Sequence, residues 1–244
     1  MKFGRAVNTV LKKFGLRITR GTATGIGMSL SLLGLRDRGF QPKTVLDIGA
    51  AYGDWTKECL KVYPNSKFLL LEPLAEYNNA LNKMVYQHSN VRFINAVAGA
   101  VSGQVEMHVQ KDLVGSSLLD DKDKSYSGSM RSISMVSIDD LLNKGELEPP
   151  ELVKIDVQGF ELEVLKGGGS LFNSAEVFIL EVSLYEFCHG MPIAQDIIAY
   201  MAKKGFVLYD IATIIRRPLD DALAQMDVVF VRETSRLRAS QLWS

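Results

Sequence analysis

Between residues 44 and 180 the chain alternates short, almost wholly apolar runs with segments of helical periodicity. Each run is bounded by glycine, proline, asparagine or charged residues, which predicts a strand buried on both faces. Strands that alternate with helices indicate βαβ units and a parallel sheet, so we predict an α/β fold with a doubly wound, Rossmann-like sheet. The predicted strands are Thr44–Ile48, Phe68–Leu71, Val91–Ile94, Leu152–Ile155 and Val177–Leu180, and the predicted helices are Asp54–Val62, Leu74–Tyr86, Ile138–Leu142, Glu161–Lys166 and Ile193–Lys203.

One segment interrupts this alternation. Within residues 104–136, Gln104–Gln110 and Met130–Val136 alternate like exposed antiparallel strands, and a polar, serine-rich loop joins them. Two further apolar runs, Phe206–Tyr209 and Val228–Val231, follow the last predicted helix. We therefore predict one domain over residues 37–234, with an inserted hairpin and flexible loop at 104–136 and a tail at 235–244.

Residues 1–36 are predicted to form a separate, basic helical extension. They contain seven basic residues and no acidic residue, and Phe3, Val7, Leu11 and Phe14 recur at helical spacing. A helix that packs on the domain is the favoured interpretation. A peripheral membrane contact through residues 1–20 is the alternative, because a basic amphipathic helix also suits anionic lipid.

The composition limits the partners and the compartment. The 28 basic and 28 acidic residues cancel, which argues against nucleic acid as an obligatory partner. Two cysteines are too few for a disulfide framework and fit a reducing compartment, so a cytoplasmic location is predicted. No run approaches the roughly 20 apolar residues of a membrane span, and the N-terminal segment is not typical of a signal peptide. The oligomeric state stays open.

The first predicted strand leads into a glycine-containing loop and a helix, in the sequence TVLDIGAAYGDWTKECL. Gly49 and Gly53 permit a tight turn and the close approach of a ligand to backbone amides. A dinucleotide loop needs G-x-G-x-x-G, but aligned from Gly49 the second glycine position is Ala51 and the third is Asp54. A negative charge there disfavours a pyrophosphate. Asp47, at the strand end, is predicted to orient the loop or to reach a cationic ligand group.

The next predicted strand ends in Glu72 and Pro73, 25 residues after Asp47. A carboxylate at the carboxyl end of the second strand can accept one hydrogen bond from each hydroxyl of a ribose. A surface glutamate is the structural alternative, but adjacent strand ends form the ligand crevice of such sheets. A ligand with a ribose, no phosphate and a positive centre fits these residues, which predicts S-adenosylmethionine as the cofactor.

Several motifs, in order along the chain, resemble those of the FkbM-type methyltransferases, a family with the class I S-adenosylmethionine fold. The resemblance runs from about residue 38 to residue 232, on the motifs VLDIGAAYGDWT, LLLEP, VGSSLL, VSIDDLL, VKIDVQGFELEVLKGG and LEVSLYEF. Two positions depart from the family pattern. Its usual Asn in the first loop is Ala51, which weakens the expected polar contact to the cofactor, and its usual Glu is Gln158.

The resemblance implies a seven-stranded, mostly parallel sheet with an antiparallel last strand. It also implies methyl transfer, most often to a hydroxyl of a sugar or a secondary metabolite, with the region 115–128 and the C-terminal strands around the acceptor. Asn95 is expected near the adenine. The cofactor-binding residues expected in this chain are Asp47, Gly49, Ala50, Tyr52, Gly53, Glu72, Pro73, Asn95 and Asp156.

Methyl transfer to a hydroxyl requires an aligned acceptor oxygen and a group that takes its proton. Asp156, at the end of the fourth predicted strand, is the first candidate for this base. Its structural alternative is a carboxylate that caps the next helix or holds the cofactor amino group. Glu181, at the end of the fifth strand, and His189, in the loop beyond it, are the rival catalytic residues. Lys154 lies on the same side of its strand as Asp156 and is expected in an ion pair.

No metal is predicted. Asp156, Glu161 and Glu181 could supply oxygen ligands of the kind that Mg²⁺ takes, but no pair of adjacent aspartates follows the fourth or fifth strand. The favoured function is an O-methyltransferase for a carbohydrate-like small molecule. A binding protein with this fold but impaired activity is the alternative that Ala51 and Gln158 leave open, and an NAD(P)-dependent oxidoreductase is disfavoured by the glycine loop.

Overall fold

The computed structural model describes residues 27–111, 113, 116–119, 128–240 and 242. The amphipathic helix predicted near the N-terminus, and much of the polar loop between residues 112 and 127, lie outside the described residues. Among the residues described, none of the helices has both the length and the apolar content to cross a membrane.

The strands of the described residues form two sheets. They are β1 Thr44–Ile48, β2 Lys67–Leu71, β3 Val91–Ile94, β4 Val97–Ala98, β5 Gly103–Val109, β6 Ser129–Val136, β7 Leu152–Ile155, β8 Val177–Ser183, β9 Phe206–Arg216 and β10 Leu223–Arg232. The main sheet has seven strands in the order β3-β2-β1-β7-β8-β10-β9. Its first five strands are parallel, whereas β10 is antiparallel to both of its neighbours. The predicted doubly wound sheet with an antiparallel last strand is therefore confirmed.

Apolar layers cover both faces of this sheet. The helices are α1 Met28–Asp37, α2 Asp54–Val62, α3 Asn78–Gln87, α4 Ile138–Asn143, α5 Glu161–Lys166, α6 Leu171–Ser174 and α7 Ala194–Lys203, with short 3-10 helices at Ala75–Tyr77 and Arg236–Arg238. Successive side chains of a strand point to opposite faces, so Val45 of β1 joins one apolar cluster and Leu46 joins the other. Every residue of β1 is buried, which explains why its sequence is apolar without alternation.

Two elements differ in extent from the sequence prediction. The helix predicted from Leu74 begins as a 3-10 turn and becomes α-helical only at Asn78, because the carboxylate of Glu72 accepts the Leu74 backbone N–H at 2.9 Å and holds this segment against the end of β2. The two C-terminal strands are longer than predicted, since β9 and β10 continue to pair with each other as far as Arg216 and Leu223.

The segment 104–136 contributes strands to a second, smaller sheet. β5 and β6 are antiparallel, as predicted, and β4 pairs with β6 in parallel as the third strand. Met107 and Val109 of β5 are buried against the core of the domain. The small sheet therefore packs beside the carboxyl edge of the main sheet instead of extending into solvent.

The helix α1 packs on the outer strand of the main sheet. Leu32 and Leu35 are buried in the core, and the Ser31 hydroxyl donates to Asp210 of β9 at 2.8 Å. The described end of the predicted N-terminal extension thus contacts the domain.

Candidate active site

The loops that follow the parallel strands meet at one edge of the sheet and enclose a cavity of about 200 Å³. Its walls are mostly apolar. Among the described residues, Glu72 and Asp156 are the two carboxylates that line it, and no lysine, arginine or histidine does. Other lining residues are Gly49, Ala51, Pro73, Tyr77, Gln158 and Phe160. A small apolar cavity with two carboxylates and no lining cation suits a neutral or cationic ligand better than an anionic one.

The glycine loop is fixed tightly to the strand ends beneath it. The backbone N–H groups of Gly49 and Ala50 both donate to the carbonyl of Leu71, at 2.9 and 3.1 Å. Gly49 has a φ of 82°, and a Cβ at this position would lie 1.8 Å from the carbonyl oxygen of Asp156. Gly53 has a φ of 73°, and a Cβ there would lie 2.3 Å from Cε of Met84. Both backbone conformations favour glycine, and at Gly49 the backbone carbonyl of Asp156 leaves no room for a side chain.

Asp47 lies below the loop and is not among the residues that line the cavity. Its side chain is buried, and the Thr56 hydroxyl of α2 donates to it at 2.5 Å. Burial raises the pKa of Asp47 to about 6, although the Thr56 hydroxyl and the charge of Lys154 oppose this rise. Of the two roles predicted for Asp47, this placement favours orienting the loop and the helix that follows it.

Glu72 is buried and faces the cavity. One of its oxygens accepts the backbone N–H of Ala51 and the other accepts that of Leu74, each at 2.9 Å. Each carboxylate oxygen retains a further lone pair, so two hydroxyls of a ligand can still be accepted. Burial raises the pKa of Glu72 to about 7, against the lowering effect of these two N–H donors.

Of the other predicted cofactor residues, some line the cavity and others contact the residues that line it. Pro73 lines the cavity, whereas Asn95 is exposed and donates through Nδ2 to the carbonyls of Glu72 and Pro73 at 2.8 and 3.0 Å. Tyr52 is about half-exposed and packs edge-on against Tyr77, with ring centroids 4.6 Å apart. Asn95 thus fixes the turn after β2, and Tyr52 supports the cavity wall through Tyr77.

Asp156 is held by a buried lysine. Lys154 lies 3.2 Å from Asp156 and 3.0 Å from Asp227 of β10, so the predicted ion pair is present and extends to a second carboxylate. Burial lowers the pKa of Lys154, but the charges of Asp156, Asp227 and Glu181 more than reverse this effect and raise it. The Asp156 side chain is 33% exposed, in contrast to 4% for Lys154, so the carboxylate is accessible from the cavity while its counter-ion is not.

A glutamine joins Asp156 to Glu181. Nε2 of Gln158 donates to Oδ1 of Asp156 at 3.1 Å and to Oε2 of Glu181 at 2.8 Å. Gln225 of β10 donates to the same Glu181 oxygen at 3.0 Å. Burial, followed by the charge of Asp156, raises the pKa of Glu181, which favours the protonated form of this side chain.

Glu161 and His189 have different surroundings. The buried Glu161 accepts the backbone N–H of Gly159 at 3.1 Å and so closes the turn after β7. His189 is exposed in the loop after β8 and is not among the described residues that line the cavity. Of the three catalytic candidates, only Asp156 is among the described residues that line the cavity. Glu181 is joined to Asp156 by the side-chain amide of Gln158, and His189 lies outside this cluster.

Comparison with known proteins identifies the family. The sequence model of the Methyltransferase FkbM domain matches residues 47–208, about two thirds of the chain. The chain belongs to the FkbM methyltransferase family. This match contains the glycine loop, Glu72, Asp156, Glu181 and His189, and it ends before β10.

Two further similarities agree with the FkbM assignment. A segment of 58 residues is 45% identical to the hexuronic acid methyltransferase AglP of Haloferax volcanii, and it covers 24% of this chain and 24% of that protein. The fold is similar to the crystal structure of the methyltransferase FkbM from Methylobacillus flagellatus, with a TM-score of 0.51 at 16% identity, over 76% of this chain and 43% of that one. This chain thus spans less than half of that structure, and its match to AglP spans about a quarter of AglP.

Two residues of this FkbM site, Gln225 and Asp227, were missed from the sequence. Both lie in β10, on the same face of the strand, and Asp227 pairs with Glu181 in the ladder between β8 and β10. An antiparallel last strand brings its amino end to the carboxyl edge of the parallel strands. In LAQMDVVFV, the polar residues Gln225 and Asp227 come just before an apolar run. This pattern was the sequence signal that could have placed them at the site.

The two departures from the FkbM pattern share a backbone conformation. Ala51 and Gln158 have φ angles of 46° and 53°, in the left-handed region where a side chain with a Cβ is strained and Asn is better tolerated. Within the residues that the structure describes, no group of three or more His, Cys, Asp and Glu side chains is arranged to hold a metal ion.

Proposed function

We propose that this FkbM family member is an S-adenosylmethionine-dependent O-methyltransferase that acts on a hydroxyl of a sugar or sugar-like small molecule. The observation that carries the proposal is the charge of the cavity: Glu72 and Asp156 line it, and none of the described lining residues is a cation. S-Adenosylmethionine carries a ribose and a positive sulfonium, and when bound it supplies a methyl group to a nucleophile. Membership of a methyltransferase family also favours this cofactor over a nicotinamide dinucleotide.

The residues of the chain divide the work between binding and proton transfer. The backbone of the glycine loop and the apolar wall around Tyr77 hold the nucleoside, and Glu72 accepts its ribose hydroxyls. Asp156 would accept the proton that the acceptor hydroxyl loses when bound S-adenosylmethionine gives up its methyl group to that oxygen and leaves as S-adenosylhomocysteine. Lys154 keeps a positive charge beside Asp156, 3.2 Å away, and so holds this carboxylate in place at the cavity.

The proposed acceptor class rests on two supports. The partial relative from Haloferax volcanii is a hexuronic acid methyltransferase, which favours a carbohydrate. The second is the set of polar groups next to Asp156, where Glu181, Gln158 and Gln225 form a hydrogen-bonded cluster. Adjacent hydroxyls of a sugar can exchange hydrogen bonds with carboxyl and amide groups of this kind.

We expect S-adenosylhomocysteine to bind the chain at one site, and NAD⁺ not to bind. Isothermal titration calorimetry of the full chain measures both, with Glu72→Gln as the matched variant that removes the ribose-binding carboxylate. Methyl transfer is then measured with isotope-labelled S-adenosylmethionine and a metabolite extract of the source cells, and mass spectrometry identifies the labelled product. Absence of S-adenosylhomocysteine binding would refute the proposed cofactor. Binding without any labelled product would favour a binding protein without activity.

The affinity for S-adenosylhomocysteine should depend on pH through Glu72. Ribose hydroxyls donate to the ionised carboxylate, so binding favours this form and releases a proton wherever free Glu72 is protonated. Because the pKa of free Glu72 is raised to about 7, the affinity should be constant above this pH and fall by up to about tenfold for each pH unit below it.

Calorimetry in two buffers of different ionisation enthalpy measures this proton release directly. Near pH 6.5 the wild-type chain should release a fraction of one proton on binding, and the release should disappear by pH 8.5. The variant Glu72→Gln, which cannot titrate, should bind weakly with no such release. An unchanged pH dependence in this variant would assign the effect to another group, such as Asp47 or Glu161, whose pKa values burial also raises, to about 6 and 7.

A further inference from the structure

The amide of Gln158 occupies the space between two carboxyl groups. Its Nε2 lies 3.1 Å from Oδ1 of Asp156 and 2.8 Å from Oε2 of Glu181. Carboxylate oxygens accept hydrogen bonds, so the amide nitrogen, with its two N–H groups, is the end that faces them. One neutral side chain thus donates to both carboxyl groups of the proposed acceptor site.

The backbone holds this amide in place. Gln158 has a φ of 53°, an unfavourable angle for a residue with a Cβ, and its carbonyl accepts the Ser117 hydroxyl at 2.9 Å. On its other side, Gly159 donates to Glu161 at 3.1 Å. A strained conformation persists only where surrounding contacts determine it, so the position of this side chain is specified by the fold.

The charges of the cluster leave Glu181 without a cation of its own. Lys154 is the buried cation here, and it contacts Asp156 and Asp227 at 3.2 and 3.0 Å. Glu181 instead receives the amides of Gln158 and Gln225, at 2.8 and 3.0 Å. Two carboxyl groups that share a site normally need a proton or a positive group between them, and the raised pKa of Glu181 agrees with the absence of a second cation among the described residues around it.

We propose that Gln158 is a positioning residue whose neutral amide holds Asp156 and Glu181 together at the acceptor site without a divalent cation. This inference rests on the proposed function for the catalytic role of Asp156, but the bridge itself is a property of the chain alone. The amide orients the Asp156 carboxylate by fixing Oδ1, while Lys154 contacts Oδ2 at 3.2 Å. Replacing the amide of Gln158 with a carboxylate would place three carboxyl groups next to one another with no donor between them. Such a cluster should bind a cation.

The test is a titration of the full chain with Mn²⁺ alone, by calorimetry and electron paramagnetic resonance. Wild-type protein should show no Mn²⁺ binding that depends on Glu181. The variant Glu181→Gln should therefore give the same titration curve as wild type. The variant Gln158→Glu should bind Mn²⁺ at least tenfold more tightly than wild type, and adding Glu181→Gln to it should remove this binding. In the labelled-methyl assay, EDTA should leave the wild-type rate unchanged, and Mn²⁺ should restore activity to Gln158→Glu but not to Gln158→Ala.

Each outcome separates this inference from the proposed function. Binding of S-adenosylhomocysteine to Gln158→Glu shows that this variant keeps the fold and the cofactor cavity. If the wild-type chain does not bind S-adenosylhomocysteine, the proposed function is refuted, and the inference about Gln158 is not. Mn²⁺ binding to wild type that depends on Glu181 would overturn the inference. A folded Gln158→Glu variant that does not bind Mn²⁺ would overturn it as well. If this variant does not fold, the wild-type titration with its Glu181→Gln control decides alone.

Discussion

Replacing Gly49 with alanine should abolish binding of the cofactor and lower the free energy of unfolding by about 2–5 kcal/mol, the sum of a left-handed backbone cost and an overpacking cost. The new Cβ would lie 1.8 Å from the carbonyl oxygen of Asp156, far inside van der Waals contact. The peptide of Gly49 is also fixed to Leu71 by a 2.9 Å hydrogen bond, so the loop cannot move away without losing that bond. The strands β1 and β7 would have to separate, which displaces the loop that lines the cavity.

The matched control is Gly205→Ala, at the turn between α7 and β9. Gly205 has a φ of 79°, close to the 82° of Gly49, but nothing lies within 4 Å of the position of its Cβ. Only the backbone cost, about 1–2 kcal/mol, should therefore appear, and S-adenosylhomocysteine should still bind. Urea unfolding and calorimetric titration of both variants make the comparison. Equal losses of stability with binding intact in both would show that the contact with Asp156 does not constrain the loop.

The sheet could be predicted because its strands are buried on both faces. The runs at β1, β2, β3, β7 and β8 needed no partner to be recognised, since both faces of a parallel sheet require apolar side chains. The seven strands and the antiparallel last strand followed from the family resemblance. The lengths of β9 and β10 could not be predicted, because polar residues such as Asp210, Gln225 and Asp227 interrupt the apolar pattern of these strands.

The site could be predicted as far as residues that end parallel strands. Asp47, Glu72, Asp156 and Glu181 all lie near the carboxyl edge, because Glu72 and Asp156 directly follow β2 and β7, and Asp47 and Glu181 lie in the last residues of β1 and β8. The sequence does not show whether each carboxylate faces the cavity or the core of the domain. Asp47 points down to Thr56, 2.5 Å away, whereas Glu72 faces the cavity, and this difference depends on packing against α2.

Contacts that join distant segments were beyond the sequence. Gln225 reaches Glu181 across 44 residues of chain, and the Ser117 hydroxyl reaches Gln158 across 41. The first depends on the antiparallel insertion of β10, and the second on how the small sheet folds back over the edge. The placement of Asn95 near the adenine stays a prediction. Its hydrogen bonds go to the carbonyls of Glu72 and Pro73, because β3 pairs with β2 in parallel and the two strand ends lie side by side.

Asp156→Asn should lower the rate of methyl transfer by about 10²–10⁴-fold, the usual contribution of a general base. The asparagine keeps the shape of the side chain but cannot accept a proton at neutral pH. Asp156 is the candidate base that lines the cavity, and Lys154 keeps positive charge beside it. The Lys154 ammonium retains Asp227 at 3.0 Å in this variant, so it is not left without a partner, and the fold should survive.

The measurement is the initial rate of labelled-methyl transfer to the extract, alongside calorimetric binding of S-adenosylhomocysteine. Binding should change little in Asp156→Asn, because Glu72 and the glycine loop are untouched, and this separates loss of catalysis from loss of the cofactor. The same assay on Glu181→Gln and His189→Ala ranks the rival bases. Because burial and the charge of Asp156 raise the pKa of Glu181 and favour its protonated form, Glu181→Gln should retain more activity than Asp156→Asn. Full activity in Asp156→Asn, with loss in either rival, would transfer the role of base to that residue.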